Sequence, residues 1–123
     1  MSPAHNKSES VAEALDALDT GAEPSRAVLR DAVRALLTEL SHRAPGRSVE
    51  VRIPPFGAIQ CVPGPRHTRG TPPNVVETDP MTWLLVATGR LAWGDAVHDG
   101  RVRASGIRTD LSEYLPLTGD QPG

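Results

Sequence analysis

The side chains best suited to chemistry lie in one proline-rich and glycine-rich segment. Arg66, His67 and Arg69 stand close together there, and Glu77 and Asp79 follow. Two arginines beside a histidine can grip a carboxylate or a phosphate through forked guanidinium hydrogen bonds. A plainer interpretation pairs the arginines with the two carboxylates as a surface ion network. The sequence leaves both interpretations open.

Metal chemistry is not predicted. The four histidines fall on separate predicted elements without zinc-ligand spacing, at His5, His42, His67 and His98. A metal held by His67, Glu77 and Asp79 would rest on composition alone. We therefore expect neither a metal nor another cofactor.

The residues of covalent catalysis are also missing from their usual settings. Cys61 is the single cysteine, and it is followed by Val62 and Pro63 in a predicted strand instead of opening a helix. A buried, unreactive thiol is the expectation for it. No glycine pattern matches a phosphate-binding loop, and no serine occupies a nucleophile elbow. The sequence predicts a protein that is not an enzyme.

Composition sets the remaining bounds on partners and location. The chain has 123 residues and a net charge of -2, which fits one domain without the basic excess of a nucleic-acid binder. Only four aromatic side chains are present, too few and too scattered to stack successive bases. No apolar run approaches the roughly 18 residues needed for stable membrane insertion, and the first ten residues do not resemble a signal peptide. We expect a cytoplasmic protein.

Hydrophobic periodicity divides the chain into helices and strands. It predicts helices over 8–21, 25–44, 80–89 and 93–100, strands over 49–53, 56–62, 74–78 and 101–105, and a last turn capped by Asp110. In the last strand, Val102 and Ala104 should face inward. Strands followed by clustered helices predict an α+β domain, a mostly antiparallel sheet with helices over one face.

The run from Pro80 to Gly106 resembles the C-terminal half of the sterol carrier protein family. The family has an apolar helix, a glycine, a short helix with an alanine, a glycine, an alternating strand and another glycine. Those points correspond to Gly89, Ala96, Gly100 and Gly106. Segments 45–61 and 64–79 look like the stand-alone sterol-carrier-like proteins of actinobacteria. The resemblance spans residues 25–117, so that 1–24 would be a tail with a short amphipathic helix and 118–123 a second tail.

This resemblance implies a five-stranded sheet and an apolar tunnel between the sheet and the C-terminal helices, taking fatty-acyl or sterol-like ligands. The tunnel would be lined by Val51, Ile53, Phe56, Ile59, Trp83, Leu84, Ala87, Leu91, Trp93, Val97, Leu111 and Leu115. Arg66, His67 and Arg69 would hold a ligand head group at its mouth. Related domains also occur as non-catalytic halves of larger enzymes, which implies a possible partner enzyme.

Three functions remain in competition. The first is a non-enzymatic carrier of a small apolar ligand, and the second is a structural module that docks on an enzyme without a ligand. The third, a thiol-cofactor accessory enzyme using Arg66, His67 and Arg69, ranks last because no nucleophile accompanies them. Packed cores and ligand tunnels use the same residue types, so the sequence does not decide between the first two functions.

Overall fold

The computed structural model describes residues 7–64 and 74–117 of the chain. These residues form α1 (Lys7–Asp19), α2 (Arg26–Arg43), β1 (Val49–Ile53), β2 (Gly57–Cys61), β3 (Asn74–Thr78), α3 (Pro80–Ala87), α4 (Trp93–His98), β4 (Val102–Ser105) and a 3₁₀ turn (Ser112–Tyr114). The α+β class, the helices and the strand positions match the sequence predictions to within a few residues.

Two helices begin after a residue whose side chain accepts a hydrogen bond from a backbone amide in the first turn. The Ser25 hydroxyl accepts a hydrogen bond from the amide of Val28 at the start of α2. Asp79 does the same at α3, where its carboxylate accepts from the amide of Thr82 at 3.0 Å. Pro80 follows as the first helical residue, a position where its missing N–H costs nothing. These caps fix where the chain turns from extended into helical backbone.

The sheet has the strand order β2-β1-β3-β4. β1 pairs antiparallel with β2 and parallel with β3, and β3 pairs antiparallel with β4. The expectation of five strands in a mostly antiparallel sheet is therefore wrong: residues 7–64 and 74–117 give a mixed sheet of four strands. The reason is the chain path, because β2 ends opposite Val49 and β3 begins beside that same residue, so that β3 repeats the direction of β1.

The core lies between one face of this sheet and the helices. Val49, Val51 and Ile53 alternate with polar residues along β1 and are at most 1% exposed. They belong to one continuous apolar cluster with residues of α2, α3 and the last segment. β1 lies between β2 and β3, so it is an inner strand of the sheet. Its buried side chains belong to the apolar cluster that also contains the buried residues of the helices.

The N-terminal helix is part of the same core and not only a tail. Val11 and Ala14 of α1 are 8% and 0% exposed, within the main apolar cluster. At the end of α1, Asp19 forms an ion pair with Arg90, whose Nη1 lies 2.6 Å from Asp19 Oδ1. The boundary expected at residue 24 marks where the resemblance in sequence begins. The packed core includes residues on both sides of this boundary.

The expected final turn is a single 3₁₀ turn. Asp110 Oδ1 accepts a hydrogen bond from the Ser112 amide, which resembles the predicted cap. Beyond the turn the chain is held by backbone: the Leu117 amide donates to Ala87 O at 2.7 Å. Arg43 adds two donors, to Pro116 O and Leu117 O at 3.0 and 3.1 Å. The last segment is thus joined to both α2 and α3.

Candidate functional site

A groove of about 510 Å³ lies between α4, β4 and the chain that leads into the 3₁₀ turn. Its lining residues are Trp93, Gly94, Val97, His98, Ala104, Thr109, Asp110 and Ser112. The volume is within the range of small-molecule sites. The groove is open along one side, so a ligand there would keep part of its surface in water.

Helix α4 presents its apolar side to the groove because of its register. Successive helical positions are about 100° apart, so Trp93 and Val97 share a face. Ala96 lies on a different face and is fully buried, which anchors the helix to the core. Asp95, within α4, and Asp99, directly after it, are exposed and do not line the groove. The groove wall formed by α4 is therefore largely apolar.

The opposite rim is polar. Thr109, Asp110 and Ser112 lie along it, and Ser112 donates a hydrogen bond from its amide to the Asp110 carboxylate at 2.9 Å. The backbone and side-chain hydrogen bonds from Ser112 lower the pKa of Asp110, which keeps it ionised at neutral pH. An apolar wall facing a rim of hydroxyl and carboxylate groups suits a ligand with an apolar body and a polar end.

The structure divides the twelve predicted tunnel residues into three groups. Six lie in the packed core at no more than 1% exposure: Val51, Ile53, Trp83, Leu84, Ala87 and Leu111. Phe56, Ile59, Leu91 and Leu115 are buried or partly buried in or against that core. Only Trp93 and Val97 reach the groove. The predicted lining is thus dispersed, and a ligand-binding role for these residues remains a prediction.

Trp83 illustrates how closely the interior is filled. Its indole Nε1 donates a hydrogen bond to Val33 O at 3.3 Å, and 1% of the residue is exposed. Phe56, at the end of the β1–β2 connection, is 7% exposed and carries the Arg26 guanidinium 5.1 Å above its ring centre. That distance is typical of a cation–π contact. Both rings therefore serve packing in this conformation.

The predicted head-group residues Arg66, His67 and Arg69 lie outside the described residues. The carboxylates proposed to pair with them have other neighbours. Asp79 accepts hydrogen bonds from Thr82, and Glu77 is flanked in register by Arg52 on β1 and Arg103 on β4. These carboxylates line a separate polar pocket of about 390 Å³ with Pro54, Thr78, Gly100, Arg101 and Arg103. Its two acids and two arginines balance in charge.

The single cysteine lies in the core, and the metal-ligating side chains of the described residues are not grouped. Cys61 is fully buried, and desolvation raises the pKa of its thiol to about 11, so it stays protonated and unreactive at neutral pH. No three His, Cys, Asp or Glu side chains within residues 7–64 and 74–117 are grouped to hold a metal ion. None of the described helices is both long and apolar enough to span a bilayer.

Sequence reasoning missed most of the groove. Gly94, His98, Ala104, Thr109, Asp110 and Ser112 were not predicted as site residues. Ala104 carried a usable signal, because the alternation in β4 turns it toward the helices. Of the two residues of β4 that were expected to face inward, Val102 is buried, whereas Ala104 is exposed and lines the groove. Gly94 contributes by having no side chain to fill the space.

Comparison with known proteins identifies the family. A family model described as "bacterial SCP ortholog" matches residues 25–117, about three quarters of the chain. The chain belongs to this bacterial sterol-carrier-protein-like family. A search of curated proteins returned no match.

Proposed function

We propose that this protein is a non-catalytic carrier that binds a small apolar molecule, of fatty-acyl, lipid or sterol-like class, in the groove between α4 and β4. One observation carries the proposal: Trp93 and Val97 form an apolar wall of an open groove, where Val97 is 40% exposed and Trp93 is partly buried. Family membership supports an apolar ligand. We assign the carrier to the cytoplasm.

The open side of the groove bears on affinity. A fully buried chain of fifteen methylenes gains about 12 kcal/mol at about 0.8 kcal/mol each, before association and ordering costs are subtracted. A groove open to solvent covers only part of that surface. Micromolar affinity is therefore the expectation, which suits a carrier that must release its ligand.

A second candidate is a non-catalytic module that docks on a partner enzyme. The observation that favours it is the packed interior around Trp83 and Ile53, because six of the twelve predicted tunnel residues are at most 1% exposed within the core. Under this alternative the groove binds no small molecule. The same titration discriminates the two candidates, because only a carrier gives saturable binding.

The test is a titration with a fluorescent fatty acid, in the intact protein and in Val97→Asp. Placing a charge on the apolar wall should weaken binding at least tenfold, because an ionised carboxylate would have to be desolvated by the ligand. Ala27→Asp adds the same charge at an exposed site in the first turn of α2 and is the matched control. Equal affinity in the two variants, or no saturable binding by the intact protein, would overturn the carrier proposal.

The two tryptophans locate the ligand. In Trp83→Phe, the remaining Trp93 lines the groove and its emission should be quenched by the probe. In Trp93→Phe, the remaining Trp83 is 1% exposed and should respond much less. The opposite pattern would place the ligand inside the core. Native mass spectrometry of gently purified protein gives an independent count of bound lipid.

A further inference from the structure

The rim of the groove between α4 and β4 carries one carboxylate. Asp110 lies there and is exposed, and its Oδ1 accepts a hydrogen bond from the Ser112 amide. No arginine or histidine within the described residues forms an ion pair with it. Hydrogen bonds from Ser112 lower the pKa of Asp110, so the groove has a negative charge at neutral pH.

The arginines that are near the groove in sequence have other surroundings. Residues 101–108 contain three arginines, and none of them lines the groove. Arg101 and Arg103 line the separate polar pocket. Arg108 extends toward Gly64, where its Nη1 lies 3.1 Å from the position that a Cβ would occupy. The described lining therefore offers no guanidinium group to a carboxylate or phosphate end of a ligand.

The hydroxyl groups of the rim can accept hydrogen bonds from a ligand. The Thr109 hydroxyl donates to Gly106 O at 3.4 Å, and a hydroxyl oxygen that donates its hydrogen still has lone pairs to accept with. Ser112 lines the groove next to it. An ammonium group has hydrogen-bond donors and no acceptor, so acceptor oxygens beside a carboxylate suit it.

The rest of the lining suits the hydrocarbon part of such a ligand. Trp93, Val97 and Ala104 supply its apolar surface. His98 is the other titratable side chain of the lining, and a charge on its imidazole would attract an anion. It therefore needs a variant of its own in any test of charge preference.

We infer that the groove prefers amphiphiles whose polar end is an ammonium group to those that end in a carboxylate, and that Asp110 sets this preference. The ammonium group pairs with Asp110, and the hydrocarbon chain lies along Trp93 and Val97. A fatty-acid anion still binds through its chain, but more weakly than an amine of the same length. This inference rests on the proposed function, because it specifies the class of ligand that the same groove takes.

The experiment is displacement of the fluorescent fatty acid by three compounds with one chain in common, namely dodecylamine, dodecanol and dodecanoate, below their micelle concentrations. The affinity of the probe is measured first for each variant. Dodecylamine should bind the intact protein about fivefold more tightly than dodecanoate, with dodecanol between them, as expected for a charge at an exposed site. Because Asp110 is exposed, added salt should reduce this preference.

The decisive variant is Asp110→Asn. It removes the charge but keeps an oxygen that can accept from the Ser112 amide. Dodecylamine and dodecanoate should then bind with affinities that agree to within about twofold. Uncharged dodecanol should bind as it does to the intact protein, which shows that the groove is still formed.

Two further variants act as controls. Asp99→Asn removes an exposed carboxylate that does not line the groove, so it is matched in chemistry and should keep the preference for the amine. His98→Gln should keep it as well. Loss of the preference in either control would assign it to the net charge of the protein or to the imidazole, and would overturn the role of Asp110.

The remaining outcomes separate this inference from the carrier proposal. Equal affinities of the intact protein for dodecylamine and dodecanoate, or a preference that Asp110→Asn leaves unchanged, would overturn the inference and leave the carrier proposal standing. Failure of the intact protein to bind the probe or any dodecyl compound saturably would overturn both.

Discussion

The indole nitrogen of Trp83 donates a hydrogen bond to the carbonyl oxygen of Val33, 3.3 Å away, and joins α3 to α2 inside the core. Both residues are at most 1% exposed. Any ligand entering between these helices would have to break this bond and open a filled region. A ligand can therefore bind more readily in the groove between α4 and β4 than between α2 and α3.

Trp83→Phe should destabilise the fold without affecting the groove. The substitution removes the donor to Val33 and part of the packed volume, at a cost of about 2 kcal/mol. Urea unfolding should show a lower midpoint with an unchanged slope. Binding of the fatty-acid probe should stay within twofold of the intact protein. Strong loss of binding with little loss of stability would instead place the ligand between α2 and α3.

A large side chain at Gly94 should weaken ligand binding without lowering the stability of the fold. A side chain at Gly94 would meet nothing within 4 Å of its Cβ, and a glycine inside a helix costs about 1 kcal/mol relative to alanine. Gly94→Ala should therefore raise the melting temperature and keep probe binding. Gly94→Leu should be equally stable and bind the probe several-fold more weakly, because its side chain occupies groove volume. Unchanged affinity in Gly94→Leu would contradict the assigned site.

Asp79 should give the fold a measurable acid sensitivity. Partial burial alone would raise the pKa of Asp79, but hydrogen bonds from the Thr82 hydroxyl and amide, together with nearby Arg101, lower it on balance. The ionised carboxylate therefore stabilises the fold above its unfolded-state pKa of about 4, and this stabilisation is lost as the pH falls through the folded-state value.

The substitution Asp79→Ala should cost about 1 kcal/mol at pH 7, as expected for a helix cap. Its stability should also decline less between pH 5 and pH 3 than that of the intact protein. Glu23→Gln removes an exposed carboxylate from the α1–α2 connection and serves as the control. Chemical unfolding at a series of pH values measures both effects, and parallel curves for Asp79→Ala and the intact protein would refute the assignment.

Cys61 should not react with thiol reagents while the protein is folded. Its side chain is fully buried opposite Val49 in the β1–β2 pair, and desolvation raises the pKa of the thiol to about 11. Ellman's reagent at pH 8 should label it only as fast as the protein unfolds, and labelling should become rapid in urea. Fast labelling of the native protein would show that β2 opens locally.

The attachment of the loop of residues 106–108 to Asn74 can be tested through stability alone. Gly106→Ala would force a Cβ into Asn74 and also occupy a backbone conformation that favours glycine. We expect a loss of about 2 kcal/mol, larger than the effect of Ser105→Ala at the neighbouring exposed position. Asn74→Ala should lower stability as well, since it removes two hydrogen bonds, one to the Arg108 amide and one to Ser48 O. An unchanged melting temperature in Gly106→Ala would show that the loop is not fixed.

Local signals predicted the elements well because each depends on a few neighbouring residues. The Asp79-Pro80 pair places the start of α3 correctly, and the alternation of Val49, Val51 and Ile53 identifies both a strand and its buried face. A helix cap depends on residues within about one helical turn, and strand alternation depends on residues about two positions apart. They require no knowledge of distant contacts.

Strand pairing and the groove depend on distant contacts and were not predictable in the same way. A buried strand shows the same period whether its neighbour is parallel or antiparallel, so β3 gave no sign of its parallel pairing with β1. Likewise, Val97 and Ala104 have the apolar character of core residues. Whether a second element covers them is decided by the path of the chain from α4 to the 3₁₀ turn.

The double attachment of the last segment has a consequence for trimming of the chain. Leu117 is tied to Ala87 through its amide and to Arg43 through its carbonyl oxygen. An exopeptidase needs a free extended backbone, and the backbone of Leu117 is hydrogen-bonded to residues of both α2 and α3. Digestion should therefore halt there and leave a stable product, whereas Arg43→Gln should let the enzyme advance toward the 3₁₀ turn.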